Sequence, residues 1–277
     1  MTIADAGMRY MERPGGVRSY DLWRLGQINN AVGDCAIAEA ANASQFKRVR
    51  CGGLSPATVQ RFRATFSAAI NYLAAEEGFD VPKLPRGEKV SNKRVRYLTD
   101  EQADRLVAAY ASHVQPIAIM LRWQGLRIGE ALRADWMHVN WKANSIFVPE
   151  SKNGEPRTVT MHPKTRAALH RLWVSRGSPT EGPVFLTNRG EPYRDPRAYK
   201  VPSGSPIKKA HGTACQRADI VDFHVHDWRH HWASRCVMAG IDLETIRQEG
   251  GWKSLRMVER YATVSAAHRT HAMAKLK

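Results

Sequence analysis

From residue 84 to residue 97 the chain runs polar and basic, with Pro85 and Gly87 near the start of the stretch and Lys93, Arg94 and Arg96 near its end. Such a segment has little apolar surface to bury, and its Pro and Gly interrupt regular structure. The stretch therefore reads as the linker between two separately folded domains. The 277 residues divide into about 84 and 180, each long enough for a core of its own. We expect a helical domain over residues 1–84, a linker over 85–97 and a second domain over 98–277. The expected fold class is mainly α with a small antiparallel β-sheet.

In the first domain the clearest helix spans 56–77. Ser55 suits the N-cap, Pro56 the first helical position and Gly78 the stop. Val59, Phe62, Phe66, Ala69, Ile70 and Leu73 recur at helical spacing, while Arg61, Arg63 and Asn71 fall on other faces. Weaker patterns suggest helices over 21–30 and 35–49. In the second domain, Thr99 and Gln102 form a capping box for a helix whose inner face carries Ala103, Leu106, Val107 and Tyr110. Pro116 opens another helix, closed at Gly125, and Arg127 follows at a turn into 128–134. Strands are expected over 145–149 and 157–161, joined by a hairpin that Asn153-Gly154 marks, with a short strand over 184–187. Helices are expected over 163–176, 208–218, 228–239, 243–249, 255–262 and 266–276.

Lys and Arg total 42 against 26 Asp and Glu, a formal net charge of +16. That excess favours a polyanionic partner. An anionic membrane is the rival, but there is no basic amphipathic anchor, no lipidation motif and no apolar run long enough to span a bilayer. The opening residues lack the apolar segment of an export signal. Cys35, Cys51, Cys215 and Cys236 form no Cys-x-x-Cys pair, so neither a zinc ribbon nor a disulfide scaffold is indicated. A reducing, cytoplasmic setting fits.

Against that charge, four residues stand out: Arg127, His226, Arg229 and Tyr261. Two guanidinium groups can grip one phosphate through paired N–H donors, and a tyrosine hydroxyl can attack phosphorus to form a covalent intermediate. Each residue has a plainer reading. Arg127 alone would be a surface arginine at a turn, Tyr261 a core tyrosine, and Glu130 a solvated helix charge. Lys152 would be a solvated turn residue and Trp252 a core tryptophan. His226 and His230 also have the i,i+4 spacing of helical zinc ligands, with Asp227 where a zinc protease carries Glu, but no third ligand declares itself.

Taken together, the motifs resemble those of the tyrosine recombinases, the phage-integrase family. Gly125-Leu126-Arg127-Ile128-Gly129-Glu130 resembles the family's first arginine motif. His226-Asp227-Trp228-Arg229-His230 resembles its His-x-x-Arg motif, and Arg260-Tyr261-Ala262 its nucleophile segment, 32 residues beyond Arg229. Lys152-Asn153-Gly154 with Arg157-Thr158-Val159 resembles the hairpin carrying the family lysine. Gly251-Trp252 stands where many relatives have Gly-His. The match is good over residues 97–265 and looser over 50–80, and the first 45 residues match poorly.

The resemblance implies a helical, SAM-like core-binding domain and a mixed α/β catalytic domain that clamp double-stranded DNA. Tyr261 would attack the scissile phosphate and leave a 3′-phosphotyrosyl link. Arg127 and Arg229 would clamp the phosphate, His226 would act as acid or base, Lys152 would protonate the leaving 5′ oxygen, and the Trp252 indole would donate to the phosphate. Glu130 would support these side chains, with His230 and His231 structural. No metal and no cofactor are implied, because the phosphotyrosyl ester conserves the bond energy. A homotetramer on two DNA sites is implied, with room for accessory DNA-bending or directionality proteins. DNA contacts are expected from Arg61, Arg63, Lys93, Arg94 and Arg96. Two other readings keep the scaffold but change the outcome: a type IB topoisomerase, which reseals the same strand, and a catalytically silent DNA-binding regulator.

Overall fold

The computed structural model describes residues 1–39, 54–80, 95–149, 155–194 and 204–262. They fall into two compact units, one holding the described residues up to 80 and the other those from 95 onward. The chain is mainly helical with one small antiparallel sheet.

The first unit is built from α1 (Ile3–Glu12), α2 (Ser19–Val32) and α3 (Pro56–Glu77). Ser55 caps α3 by accepting from the Thr58 amide, and Gly78 ends it in the left-handed conformation at φ 71°. Phe62, Phe66, Ile70 and Leu73 of α3 then meet Ile3 and Tyr10 of α1 and Leu25 and Ile28 of α2 in one core. Helix α1 lies where the sequence pattern was weakest. A reciprocal Thr2–Asp5 capping box starts it, and Ile3, Ala6, Gly7 and Tyr10 line its buried side. The helix expected over 35–49 is not continued at its start: Ile37–Glu39 is a single 3₁₀ turn, and residues 40–49 lie outside the described set.

The second unit opens with α4 (Asp100–Ala109), α5 (Gln115–Gln124) and α6 (Ile128–Leu132). The expected Thr99–Gln102 capping box starts α4. Strands β1 (Val139–Asn140), β2 (Ser145–Val148) and β3 (Arg157–Thr160) form a sheet in that order. β2 and β3 pair with Ser145 opposite Thr160 and Val148 opposite Arg157. Helices α7 (Pro163–Ser175), α8 (Lys208–Arg217), α9 (Asp227–Met238), α10 (Leu243–Gly250) and α11 (Glu259–Ala262) follow. Among the described residues no helix is long and apolar enough to cross a membrane.

Two expected elements change form. Residues 184–187 make no strand. Val184 and Phe185 are fully buried, but the segment is held by single bridges, Asp135 to Pro183 and Leu186 to Pro192, with no strand alongside to extend them among the described residues. The helix expected over 255–262 divides into a 3₁₀ turn, Leu255–Met257, and α11. Val258 N–H donates to Leu255 O and Tyr261 N–H to Val258 O, so the bonds span three residues. At three residues per turn, Val258 and Tyr261 face the same way, and both are buried against Trp232, Val237, Ile246 and Trp252. That small satellite core seats the tyrosine segment against α9 and α10.

Buried polar contacts fix α9 at two further points. His231 Nδ1 accepts from the Leu98 amide at 3.2 Å, and Trp228 Nε1 donates to Tyr110 Oη at 3.2 Å. Tyr110 Oη in turn bonds His211 Nδ1, whose other ring nitrogen lies 2.8 Å from Phe223 O.

Candidate active site

Helices α5 and α10 each end at a glycine in the left-handed conformation, Gly125 at φ 60° and Gly251 at φ 66°. Each glycine presents its carbonyl to a guanidinium. Arg229 Nη1 donates to Gly125 O at 2.8 Å, and Arg127 Nη2 to Gly251 O at 3.4 Å. The left-handed conformation favours glycine at both places, and at 125 the space is closed as well. A Cβ at 125 would come 2.1 Å from the Trp232 ring, and one at 251 would come 2.8 Å from the Arg157 guanidinium.

Arg127 sits at the N-cap of α6, so the chain turns sharply there. Glu130, one turn on, accepts from the Arg127 backbone N–H at 3.0 Å and from its Nη1 at 2.7 Å. Its second charged partner is Arg157, whose Nη2 donates at 2.8 Å. Only 1% of the Glu130 side chain is exposed. Burial alone would raise its pKa, but the bonds and charges of Arg157 and Arg127 outweigh burial and hold the carboxyl below its ordinary range. The supporting carboxylate is thus a hinge-pin between two arginines.

Arg157 was not among the expected site residues. Its Nε donates to Glu249 O at 3.1 Å, so it ties β3 to the end of α10, and its Nη1 is buried with no partner among the described residues. One signal was readable. Arg157 shares a strand face with Val159, which is fully buried, so a charge stands where alternation calls for an apolar residue.

Arg229 is buried, 3% exposed, on α9. Its guanidinium carbon stands 3.8 Å from the centroid of the Trp252 ring, and its Nη2 is buried with no partner among the described residues. Burial first, then the nearby charge of Arg127, lowers it to about 9, so it remains a cation at neutral pH. Among the described residues the one hydrogen bond of this buried cation is to a backbone carbonyl, which leaves its charge uncompensated by a bonded carboxylate. Trp252 is both a core residue and part of this site: 6% exposed, it stacks on Trp232 at 6.1 Å and leans on Tyr261 at 5.8 Å. Gly250 makes room for it, since a Cβ there would fall 1.9 Å from its ring.

His226, at the N-cap of α9, has an exposed edge. Desolvation of its inner side, then His230 and Arg229, lowers it to about 4, so it is neutral at neutral pH. Its ring meets that of His230 edge to face at 5.1 Å. Asp227 turns back on the preceding loop and accepts from the His224 amide at 2.8 Å. Among the described residues no group of three His, Cys, Asp or Glu could hold a metal ion.

Tyr261 is 2% exposed. Burial raises its hydroxyl above the ordinary value, and Arg229 and Arg260 pull the other way. Its Oη lies 2.7 Å from His230 Nδ1. The fold therefore gathers Arg127, Glu130, His226, Arg229, Trp252 and Tyr261 into one neighbourhood of the second unit. Lys152, Lys93 and Arg94 lie outside the described residues. Arg61 and Arg63 are on α3 of the first unit, Arg61 exposed and Arg63 half-buried. Arg96 directs its guanidinium at the carbonyls of Tyr97 and Val221.

Arg229 lies near the buried Tyr261 on one side and Arg127 on the other, in a mainly helical unit with a three-stranded sheet. The chain belongs to the phage integrase family, whose model matches residues 96–268. It is 27% identical to the integrase of Salmonella phage P22 over 65% of this chain and 46% of that one. It is 28% identical to a shufflon-specific DNA recombinase of Escherichia coli over 76% of this chain and 51% of that one. The chain thus spans about half the length of these two relatives. The same fold occurs in the Tn1549 transposon integrase in complex with circular intermediate DNA (TM-score 0.76, 16% identity, 99% of both chains). It occurs again in a lambda integrase dimer bound to a COC′ core site (TM-score 0.73, 17% identity, 95% of this chain and 77% of that one).

Proposed function

We propose that the chain is a site-specific tyrosine recombinase that cuts and rejoins duplex DNA through a 3′-phosphotyrosyl intermediate, in the integration or excision of a phage or mobile element. The observation that carries this reading is Arg229: a buried cation whose Nη2 has no partner among the described residues, close enough to Arg127 and Tyr261 to feel the charge of both. A phosphodiester supplies the missing partner. Arg127 and Arg229 hold its nonbridging oxygens and offset the charge that grows in the pentacoordinate state. His226 and the Trp252 indole complete the grip. Tyr261 Oη attacks phosphorus, and Lys152 protonates the departing 5′ oxygen. Glu130 keeps Arg127 in place. A 5′-hydroxyl from the partner duplex reverses the step, so neither ATP nor a metal is called for.

In this reading residues 1–84 are a core-binding domain, 85–97 a linker and 98–277 the catalytic domain. Phosphates along the duplex are met by Arg61, Arg63, Lys93, Arg94 and Arg96, and four chains assemble on two sites in the cytoplasm. The net charge of +16 supports a DNA partner. The test is a duplex nicked close to the cleavage point, so that the released fragment diffuses away and the covalent complex accumulates. Wild type forms an SDS-resistant adduct, and Tyr261→Phe binds the same DNA without forming one. An adduct of equal yield in Tyr261→Phe removes the assignment, and binding with no adduct in wild type leaves the silent-regulator reading in its place.

A further inference from the structure

A tyrosine hydroxyl cannot attack phosphorus efficiently while it keeps its proton, and the free phenol loses that proton only near pH 10. Burial makes the Tyr261 proton harder still to lose. The question is which group takes it. By the motif pattern it would be His226, but the geometry gives another answer. Among the described residues the hydrogen-bond partner of Tyr261 Oη is His230, Nδ1 to Oη 2.7 Å, and both side chains are buried. His226 is not bonded to Tyr261; its ring centroid is 5.1 Å from that of His230, and the residue is exposed to solvent.

We propose that His230 is the catalytic residue that accepts the Tyr261 proton during cleavage and returns it during rejoining, and that His226 is left to contact the DNA phosphate. The inference rests on the recombinase reading above. It needs His230 neutral, with its proton on Nε2, so that the Nδ1 lone pair accepts from Oη. As the Oη–phosphorus bond forms, the phenolic proton moves to Nδ1. The phosphorus–O5′ bond breaks, and O5′ takes a proton from a separate acid, Lys152. Rejoining runs both transfers backward, so protons balance over the cycle. The transfer leaves an imidazolium one residue from the buried Arg229 cation. That is unfavourable until a phosphate brings negative charge to the same place, so the tyrosine is activated only when DNA is in position.

The experiment measures single-turnover cleavage of the nicked duplex by wild type, His230→Gln and His226→Gln, each with either tyrosine or difluorotyrosine at 261. Glutamine offers Oη an oxygen acceptor but takes no proton. Ring fluorination brings phenol ionisation towards neutral pH and so removes most of the need for a base. His230→Gln is expected to slow cleavage by about 10²–10⁴-fold, the usual worth of general base catalysis, with DNA affinity unchanged. Difluorotyrosine should recover most of that loss in His230→Gln and little of any loss in His226→Gln. Recovery also shows that the variant is folded. Wild-type rates in His230→Gln, a deficit that fluorination leaves intact, or selective recovery of His226→Gln instead would each overturn the assignment. A wild-type chain that forms no adduct would overturn the recombinase reading itself, which the wild-type lane reports separately.

Discussion

Replacing Glu130 by Gln keeps the side-chain shape and removes one charge. The carboxylate is 1% exposed and accepts from Arg127 Nη1 at 2.7 Å and from Arg157 Nη2 at 2.8 Å. A glutamine amide must turn its NH₂ towards one of those guanidinium groups, so a donor meets a donor and two buried or half-buried cations lose their shared anion. Removing one member of a buried ion pair costs about 3–5 kcal/mol. For a unit of this size each kcal/mol moves the midpoint by about 2–4 °C, so Glu130→Gln should melt about 6–20 °C lower. Thermal unfolding at neutral pH measures this. Acid supplies an internal control. Because the folded pKa lies below the ordinary 4.5, the stabilisation is complete above that value and is lost as pH falls through the folded one. The gap between wild type and Glu130→Gln should therefore narrow below pH 4.5. Arg157→Met in the Gln background should cost less than it does in wild type, since its partner is already gone. A midpoint drop under about 3 °C together with full additivity would refute the picture of a carboxylate clamped between two arginines.

Gly125→Ala combines left-handed strain of about 1–2 kcal/mol with the clash at Trp232, worth about 1–3 kcal/mol more; a melting loss below 1 kcal/mol on this scale would mean the cap is not strained as described. His231 is lowered to about 3 by burial first and then by Arg122 and Arg235, whereas an unfolded histidine titrates near 6.5. The unfolded chain therefore binds the extra proton, and stability should fall as pH drops from 6.5 towards 3. His231→Gln, which can still accept from Leu98 N–H, should flatten that part of the stability curve, and an unchanged curve would contradict a buried neutral His231. If Lys152 is the acid, Lys152→Ala should lose about 10²–10⁴-fold on ordinary DNA. It should regain most of that on a substrate with a bridging 5′ sulfur, while Arg127→Ala should not; an undiminished defect on the sulfur substrate would send the proton-donor role elsewhere.

What could be read from the chain follows from how local each signal is. Caps and stops are written in a few adjacent residues. Ser55-Pro56, Thr99 with Gln102, and the closing Gly78 and Gly125 therefore marked helix ends that the structure has. Thr2 and Asp5 form the same kind of box at α1, but a ten-residue helix has no long apolar stripe behind its cap to make the signal distinctive. Residues 184–187 look like a strand because they are apolar, yet a strand exists only beside a partner, and the partner is a matter of tertiary structure. The site divides the same way. Arg127, Glu130, Arg229, Trp252 and Tyr261 sit in recognisable short motifs. The bonds from Arg157 to Glu130 and from His230 to Tyr261 join residues 27 and 31 apart in sequence, and no local pattern announces them.

The two glycine carbonyls have an electrostatic consequence. Gly125 and Gly251 close α5 and α10, so their carbonyls belong to helix C-termini, where the aligned peptide dipoles leave about half a negative charge. Arg229 is steadied by that partial charge, and among the described residues no carboxylate is bonded to it. A bonded carboxylate would cancel the cation outright and compete with any incoming phosphate. A helix end holds the guanidinium in place and leaves much of its positive charge unspent. Among the described residues Arg127 carries a carboxylate and a helix end while Arg229 carries a helix end and the face of the Trp252 ring, so the pair is unequal. The stronger pull on an anion comes from the more deeply buried arginine, on the side where the tyrosine stands.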